Sequence, residues 1–534
     1  MPRPLRPTRW LTPLALLGLV AALAFIGLFL LDWFLWAPAG HKPGPASEFF
    51  MFDPETAESA VGNLAQVIAA VLGIVITVVS IVVQLAATRY TPRIADMFFR
   101  DRTNLAVLGF FVVAGIDAIW VSLSVTRDFV PRFSIAGSLL LVTASILLMV
   151  PYFGYVFDFL DPEKIVARIE AQALDAALGA RPASVTVEDA QARTLRAIEQ
   201  LSDVAVNAVS QKDKLIATGA IDALKELLVS YLHGKPRLER DWFDIGPGLR
   251  KNPDFVSMAP ESVEDLAAQR LWVEWKVLRQ YQAIYNQALL QMPDMNYLVA
   301  IDTRYVGDAA LEAGDGEALA LVVKFFNTYL RATLNAGLVR TAYNVLNQYR
   351  QLAEHVLALG APAGSAPAGT SLAAEVAHYF RYYGQLARRK GLGFVAETAA
   401  YDVAALCEHA FAVASPSHDE LLRILLTIDE DAETGEHEVV LRGVRKAQVK
   451  LATYYLGRGA EAHARAIAAD MKDEPVARLR HIREELLAAT SRDFWEVIDR
   501  GTNFDFLDES RKAQLAVFFG WFSGLSPMAQ SAGS

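Results

Sequence analysis

Few residues in this chain of 534 amino acids are spaced for recognisable chemistry. The acidic run DEDAETGEHE, residues 429–438, offers carboxylates to a hard cation. A calcium loop of the EF-hand kind needs glycine at its sixth position and a bidentate glutamate at its twelfth. Counted from Asp429 those positions are Thr434 and Val440, so the run reads as a solvated loop. Cys407, Glu408 and His409 are consecutive and radiate to different sides of a helix, which makes Cys407 a core cysteine rather than half of a thiolate–imidazole pair. His378, His409 and His463 share no spacing that predicts a metal site. No GxxxxGK[ST], HExxH or GxSxG run is present. No catalytic residue, metal or cofactor is therefore assigned, and the chain is not expected to be an enzyme.

The polar residues that stand out lie inside apolar stretches. In GNLAQVIAAVLGIVITVVSIVVQLAATRYTPR, residues 62–93, the positions Asn63, Gln66, Ala70, Gly73, Thr77, Ser80, Gln84 and Thr88 recur at steps of three and four. On a helix they form one face. In lipid such a face has two readings. One is a packing seam, where small residues admit a neighbouring backbone and hydroxyls or amides bond across helices. The other is the lining of a water-filled path, which four helices cannot enclose alone and which requires a homo-oligomer. Two carboxylates add to the set: Asp32, near the end of an apolar run and within reach of headgroups, and Asp117, in GFFVVAGIDAIWVSLSV. A charged carboxylate near the bilayer centre costs about 2.5–3.5 kcal/mol on insertion scales. Asp117 is thus either protonated and hydrogen-bonded to a neighbour or an ion or proton site facing water.

These residues must be carried by membrane-spanning helices, which need about 20 apolar residues each. Four segments qualify, at about 10–36, 61–85, 104–125 and 133–157. The first exceeds the core of a secretory signal and reads as an uncleaved span. With the N-terminus inside, inner flanks carry Arg3, Arg6, Arg9, Arg89, Arg93, Arg100, Arg102, Lys164 and Arg168, against Lys42, Arg127 and Arg132 outside. That bias places both termini in the cytoplasm. Residues 1–160 hold ten basic and ten acidic residues, leaving 40 and 50 beyond. A net-acidic remainder argues against nucleic-acid binding. The single cysteine excludes an intramolecular disulfide.

The loop after the polar face contains Thr91 as an N-cap and Pro92 at a first helical position. Ile94, Met97 and Phe98 group on one side, with Arg89, Arg93, Arg100 and Arg102 as a basic loop suited to the headgroup surface. The run Gln84-Leu85-Ala86-Ala87-Thr88-Arg89-Tyr90-Thr91-Pro92-Arg93, followed by Phe99-Arg100-Asp101-Arg102 and Asn104, resembles the predicted bacterial membrane proteins grouped as domain of unknown function 2254. The fourth span with DPEKIVARIE and the later run LSDVAVNAVSQKDKLIATGAIDALKELL resemble the same family. The chain departs from it at Gln211-Lys212-Asp213-Lys214, where an Asn-Asp-Pro turn is usual, and at Gly154-Tyr155-Val156, where paired histidines are frequent. The resemblance implies a multi-pass inner-membrane protein and supplies no activity or catalytic residues.

From residue 161 the pattern is helical, with breaks near 234–262 and at GAPAGSAPAGTS, residues 360–371. This divides the remainder into cytoplasmic helical domains at 161–359 and 372–534. In the second, Tyr-Tyr pairs precede glycine turns at Tyr383 and Tyr455, and their 72-residue separation is close to two helical-hairpin repeats. Tetratricopeptide-like hairpins and an irregular bundle are both consistent with it. The expected fold is an all-α membrane protein with four spans and a large helical cytoplasmic region. Its expected partners are the lipid bilayer, further copies of itself and a cytoplasmic protein. A homo-oligomeric channel or transport pore with a cytoplasmic sensor or gate is one functional reading, and a membrane-anchored scaffold or signalling protein is the other.

Overall fold

The computed structural model describes residues 53–89, 93–127, 129–182, 184–365, 371–429, 438–494, 500–501 and 503–525, together with eight helical positions between 19 and 35. Among these residues the protein is all-helical, without strands. It divides into two compact units, Met1–Ile165 and Val166–Ser534.

In the first unit, three described helices are long and apolar enough to cross a membrane. They are α1 (Pro54–Arg89), α3 (Arg102–Ser124) and α4 (Arg132–Phe159), with the short α2 (Arg93–Phe99) between the first two. The expected span at 10–36 lies outside the described residues except for those eight positions, and Asp32 lies outside them altogether. At 1.5 Å per residue the 36 residues of α1 extend about 54 Å, well beyond a hydrocarbon core of about 30 Å. The excess lies at the start, where Glu55 and Glu58 suit water. Each of α1, α3 and α4 packs on the other two. One end of this bundle closes on Ala57, Val61, Val121 and Ile135. The other closes on Phe98 against Phe159 and Phe111 against Tyr152, with ring centroids 5.3 and 6.4 Å apart. Pro151 sits inside α4 without ending it.

The second unit opens with α5 (Pro162–Leu178), which crosses the boundary, then α6 (Val187–Ser210) and α7 (Lys214–Gly234). After short turns come α8 (Pro260–Ala268), α9 (Trp272–Ala288), α10 (Pro293–Glu312), α11 (Gly316–Asn335) and α12 (Val339–Leu359). The chain then runs through α13 (Leu372–Arg389), α14 (Gly393–Ala412), α15 (His418–Leu426), α16 (Glu438–Gly457), α17 (Glu461–Asp470), α18 (Val476–Ala488) and α19 (Glu509–Phe519). Local signals start several of them. Thr186 and Asp189 form a reciprocal capping box on α6, and Asp213, Asp315 and Asp508 cap α7, α11 and α19. Gly391 and Gly459 end α13 and α16 with φ of 74° and 72°, a left-handed conformation that glycine adopts without a Cβ penalty. Alternate helices stack in order, α7 on α10, α10 on α12, α12 on α14 and α14 on α16. Stacked rings of Tyr285 with Tyr329 and of Phe326 with Tyr349, 4.6 and 4.7 Å apart, fill the space between them. Lys235, almost fully buried, is held by Glu274 and Asp315 at 2.5 and 2.6 Å.

Candidate functional site

Helix α1 buries an apolar row inward and exposes its polar row, flanked by exposed Val67, Ile74, Ile76, Ile81 and Leu85. Ala57, Val61, Ile68, Val75, Val79, Val83 and Ala86 are the buried row. Asn63, Gln66, Ala70, Gly73, Thr77, Ser80, Gln84 and Thr88 are all exposed. At 3.6 residues per turn the centre of the polar row lies about 160° around the helix from the centre of the buried row. The polar face therefore turns away from α3 and α4. Thr77 and Thr88 satisfy their own hydroxyls by donating to the carbonyls of Gly73 (2.7 Å) and Leu85 (2.9 Å). The carboxamides of Asn63, Gln66 and Gln84 have no partner among the described residues. An amide moved from water to hydrocarbon without a hydrogen bond costs about 4–8 kcal/mol, so acyl chains are a poor medium for this face. Gly73 points the same way. A Cβ added there meets nothing within 4 Å, so packing among the described residues does not require the glycine, and its open side would admit a close helix approach.

Asp117 lies at the edge of the buried face of α3, beside Ala114 and Ala118, and its Oδ2 atom is buried without a hydrogen-bond partner among the described residues. The side chains of Ile116, Ile119 and Trp120 on the same helix are exposed apolar surface suited to lipid. Hydrogen bonding among the described residues thus does not account for this carboxylate.

The basic loop is a lock rather than a loose surface helix. Asp101 caps α3 by accepting from the backbone N–H of Thr103 and Asn104 at 2.9 and 3.3 Å, and it also accepts from the Tyr155 hydroxyl. Fully buried Asn104 donates to the carbonyl of Phe98 (3.2 Å) and accepts from the Tyr152 hydroxyl (2.6 Å). Phe98, expected at the headgroup surface, is instead buried against Phe159, while Phe99, Arg100 and Arg102 are exposed. The side chains of Arg89 and Arg93 lie outside the described residues.

Residues 6–197 match the family of predicted membrane proteins called domain of unknown function 2254. The matched stretch covers the membrane unit, α5 and the first part of α6, and stops short of the run from Leu201 to Leu228 to which the sequence resemblance extended. No curated protein and no solved structure matches the chain. Within the DUF2254 stretch the structure gives the quoted run a physical role. Asp101 and Asn104 fasten α2 and the start of α3 onto α4, and Tyr155, standing where paired histidines are frequent, supplies one of the fasteners. At the other departure, Asp213 still caps the following helix by accepting from the backbone N–H of Ile216, and Lys212 takes φ of 59°.

The second unit carries a cleft of about 810 Å³ lined by Arg350, Tyr401, Lys450, Arg500 and Arg511, among others. Most of its cations are already neutralised. Arg500 grips both oxygens of Asp402 at 2.6 and 3.0 Å, and Arg511 grips both oxygens of Glu408 at 3.0 and 2.6 Å. Lys450 instead donates to the Phe504 carbonyl and lies under the Tyr401 ring. Burial pushes its pKa down to about 8, against the opposing pull of Glu408 and Asp505.

The remaining expectations resolve simply. Cys407 is fully buried and burial pushes its thiol well above the usual range, which makes it inert. Residues 430–437 of the acidic run lie outside the described residues, and Asp429 pairs with Arg445 at 3.1 Å. His378 sits 3.9 Å from Glu420 and His409 lies in α14, so neither joins His463. The residue that does join it is His418, which sequence spacing overlooked: the two imidazole rings are 4.8 Å apart with Asp419 between their nitrogens. They are 45 positions apart in the chain, and no short-range periodicity connects them.

Proposed function

We propose that the chain assembles as a homo-oligomer in the bacterial inner membrane, with the polar faces of α1 turned toward a shared axis where they line a channel or transport pore. The observation that carries this reading is the orientation of α1. Its polar row lies opposite the surface it buries against α3 and α4, and its carboxamides find no partner among the described residues, which supports a sister copy or water meeting it. Asp117, half-buried with an oxygen unpartnered among the described residues, is the intramembrane carboxylate that this reading assigns to cation binding or relay. By the positive-inside rule the exposed Arg100 and Arg102 face the cytoplasm, so the helical second unit is cytoplasmic and serves as sensor or gate. The protein is read as non-enzymatic.

Reconstitution of the purified protein in liposomes tests this. The reading expects ion flux that Thr77→Leu and Ser80→Leu alter. A tight oligomer that passes no ions, with both variants indistinguishable from the parent, overturns the pore.

Gly73 favours a second reading. A glycine that admits close helix approach also favours a sealed seam with no lumen, in which the bilayer part anchors and oligomerises a scaffold. On that reading the stacked helices of the second unit bind a cytoplasmic protein, and the full-length chain captures one specific partner from membranes while flux stays absent.

A further inference from the structure

The first turns of α15 and α17 bring three ligand-type atoms together around one point. His418 Nδ1 lies 3.1 Å from Asp419 Oδ1, and His463 Nε2 lies 3.5 Å from that same oxygen. A tetrahedral ion with bonds of about 2.0–2.1 Å holds its ligand atoms about 3.3 Å from one another. The two spacings to Asp419 straddle that value, and all three ligand atoms lie within 4.8 Å of one another. The imidazole planes are crossed at 80°, so the two nitrogens approach from different directions rather than stacking.

The surroundings have the features of a metal site with an open position. The far nitrogen of His418, Nε2, lies 2.6 Å from the hydroxyl of the fully buried Tyr455, an outer partner of the kind that fixes ring orientation for a ligating histidine. Phe411 packs edge-on against both imidazoles, with centroids 5.3 and 5.8 Å away, and forms an apolar wall. Asp419 is 87% exposed, which leaves an entry route and room for water as a further ligand.

We infer that His418, Asp419 and His463 bind a divalent first-row transition ion, with Zn²⁺ best suited to two imidazoles and one carboxylate in this arrangement. The site lies within the second unit, outside the stretch that matches the family, and does not depend on the pore reading. Without an ion the same carboxylate would simply accept from two imidazole N–H groups. The two arrangements differ in whether metal is taken up stoichiometrically.

The test uses the full-length protein in detergent, purified without a polyhistidine tag and stripped with chelator, and titrated with Co²⁺ followed by Zn²⁺ competition. One equivalent of Co²⁺ should bind with intense visible absorption typical of four-coordination, and Zn²⁺ should displace it. Asp419→Asn, at an exposed position that leaves the core intact, should weaken binding about tenfold or more, and His463→Ala should abolish it. Tyr455→Phe should keep the stoichiometry and weaken binding by about 10–100-fold. Absence of stoichiometric uptake by the parent protein overturns the inference, as does equal uptake by the parent, Asp419→Asn and His463→Ala. Circular dichroism confirms that each variant retains its helical content.

Discussion

At the scale of single residues, the polar groups divide into those that fasten the fold and those it leaves open. Asn104 looked in sequence like one more polar residue at a helix start. It is in fact fully buried, bonded to Phe98 and Tyr152, and it holds α2 to the bundle. Nothing local identified its partner, because Tyr152 is 48 positions away. Lys450 is the opposite case, an ammonium held in the cleft wall by a carbonyl with no carboxylate close enough for an ion pair among the described residues. Its lowered pKa means that the unfolded chain binds the proton more tightly than the folded one between about pH 8 and the usual lysine range. Stability therefore rises with pH across that window, and the cost of the buried charge is fully present below it. Lys450→Met is expected to raise the apparent melting temperature at pH 7, with the gain shrinking as pH passes 8 toward 10. Thermal melts across that range check this, and a gain independent of pH contradicts it.

At the scale of elements, α1 shows what sequence could and could not deliver. Steps of three and four placed Asn63 through Thr88 on one face. They could not say which way that face turned, because the direction is set by how α3 and α4 close on α1, with Val121 and Ile135 packed on Ala57 and Val61. The same limit explains α2. Its apolar side was legible, but the pocket beside Phe159 that receives Phe98 was not. It explains the histidine pair as well, since His418 and His463 open different helices and meet only through the packing of α15 and α17 near Tyr455. The outward polar face leads to a prediction at this scale. Replacing Gln66, Thr77 and Gln84 together by leucine removes two carboxamides that have no partner among the described residues and one hydroxyl, and turns the face into ordinary acyl-chain contact. Light scattering in detergent is expected to show the assembly shifting toward monomer. Trp120→Leu, on exposed apolar surface of α3, should leave it unchanged. Equal behaviour of the two variants would contradict the assignment.

At the scale of the whole molecule, a membrane unit whose first described helix turns a polar row outward is followed by a unit of stacked helices. Helical character and the three described spans were legible because apolar length and period are local properties. The proposed assembly is legible only as a need, since on that reading the surface that satisfies it belongs to another copy. The lone cysteine makes that surface accessible to experiment: Cys407→Ala gives a background into which single cysteines are introduced at Thr77, Ser80 and Gln84, with Val113 on the exposed side of α3 as reference. Oxidative crosslinking in native membranes is the most direct measurement. Crosslinked dimers at the three α1 positions and none at Val113 are the predicted result. Monomers throughout, with all four cysteines labelled equally by a lipid-soluble maleimide, would show the polar face lying in hydrocarbon and contradict the account.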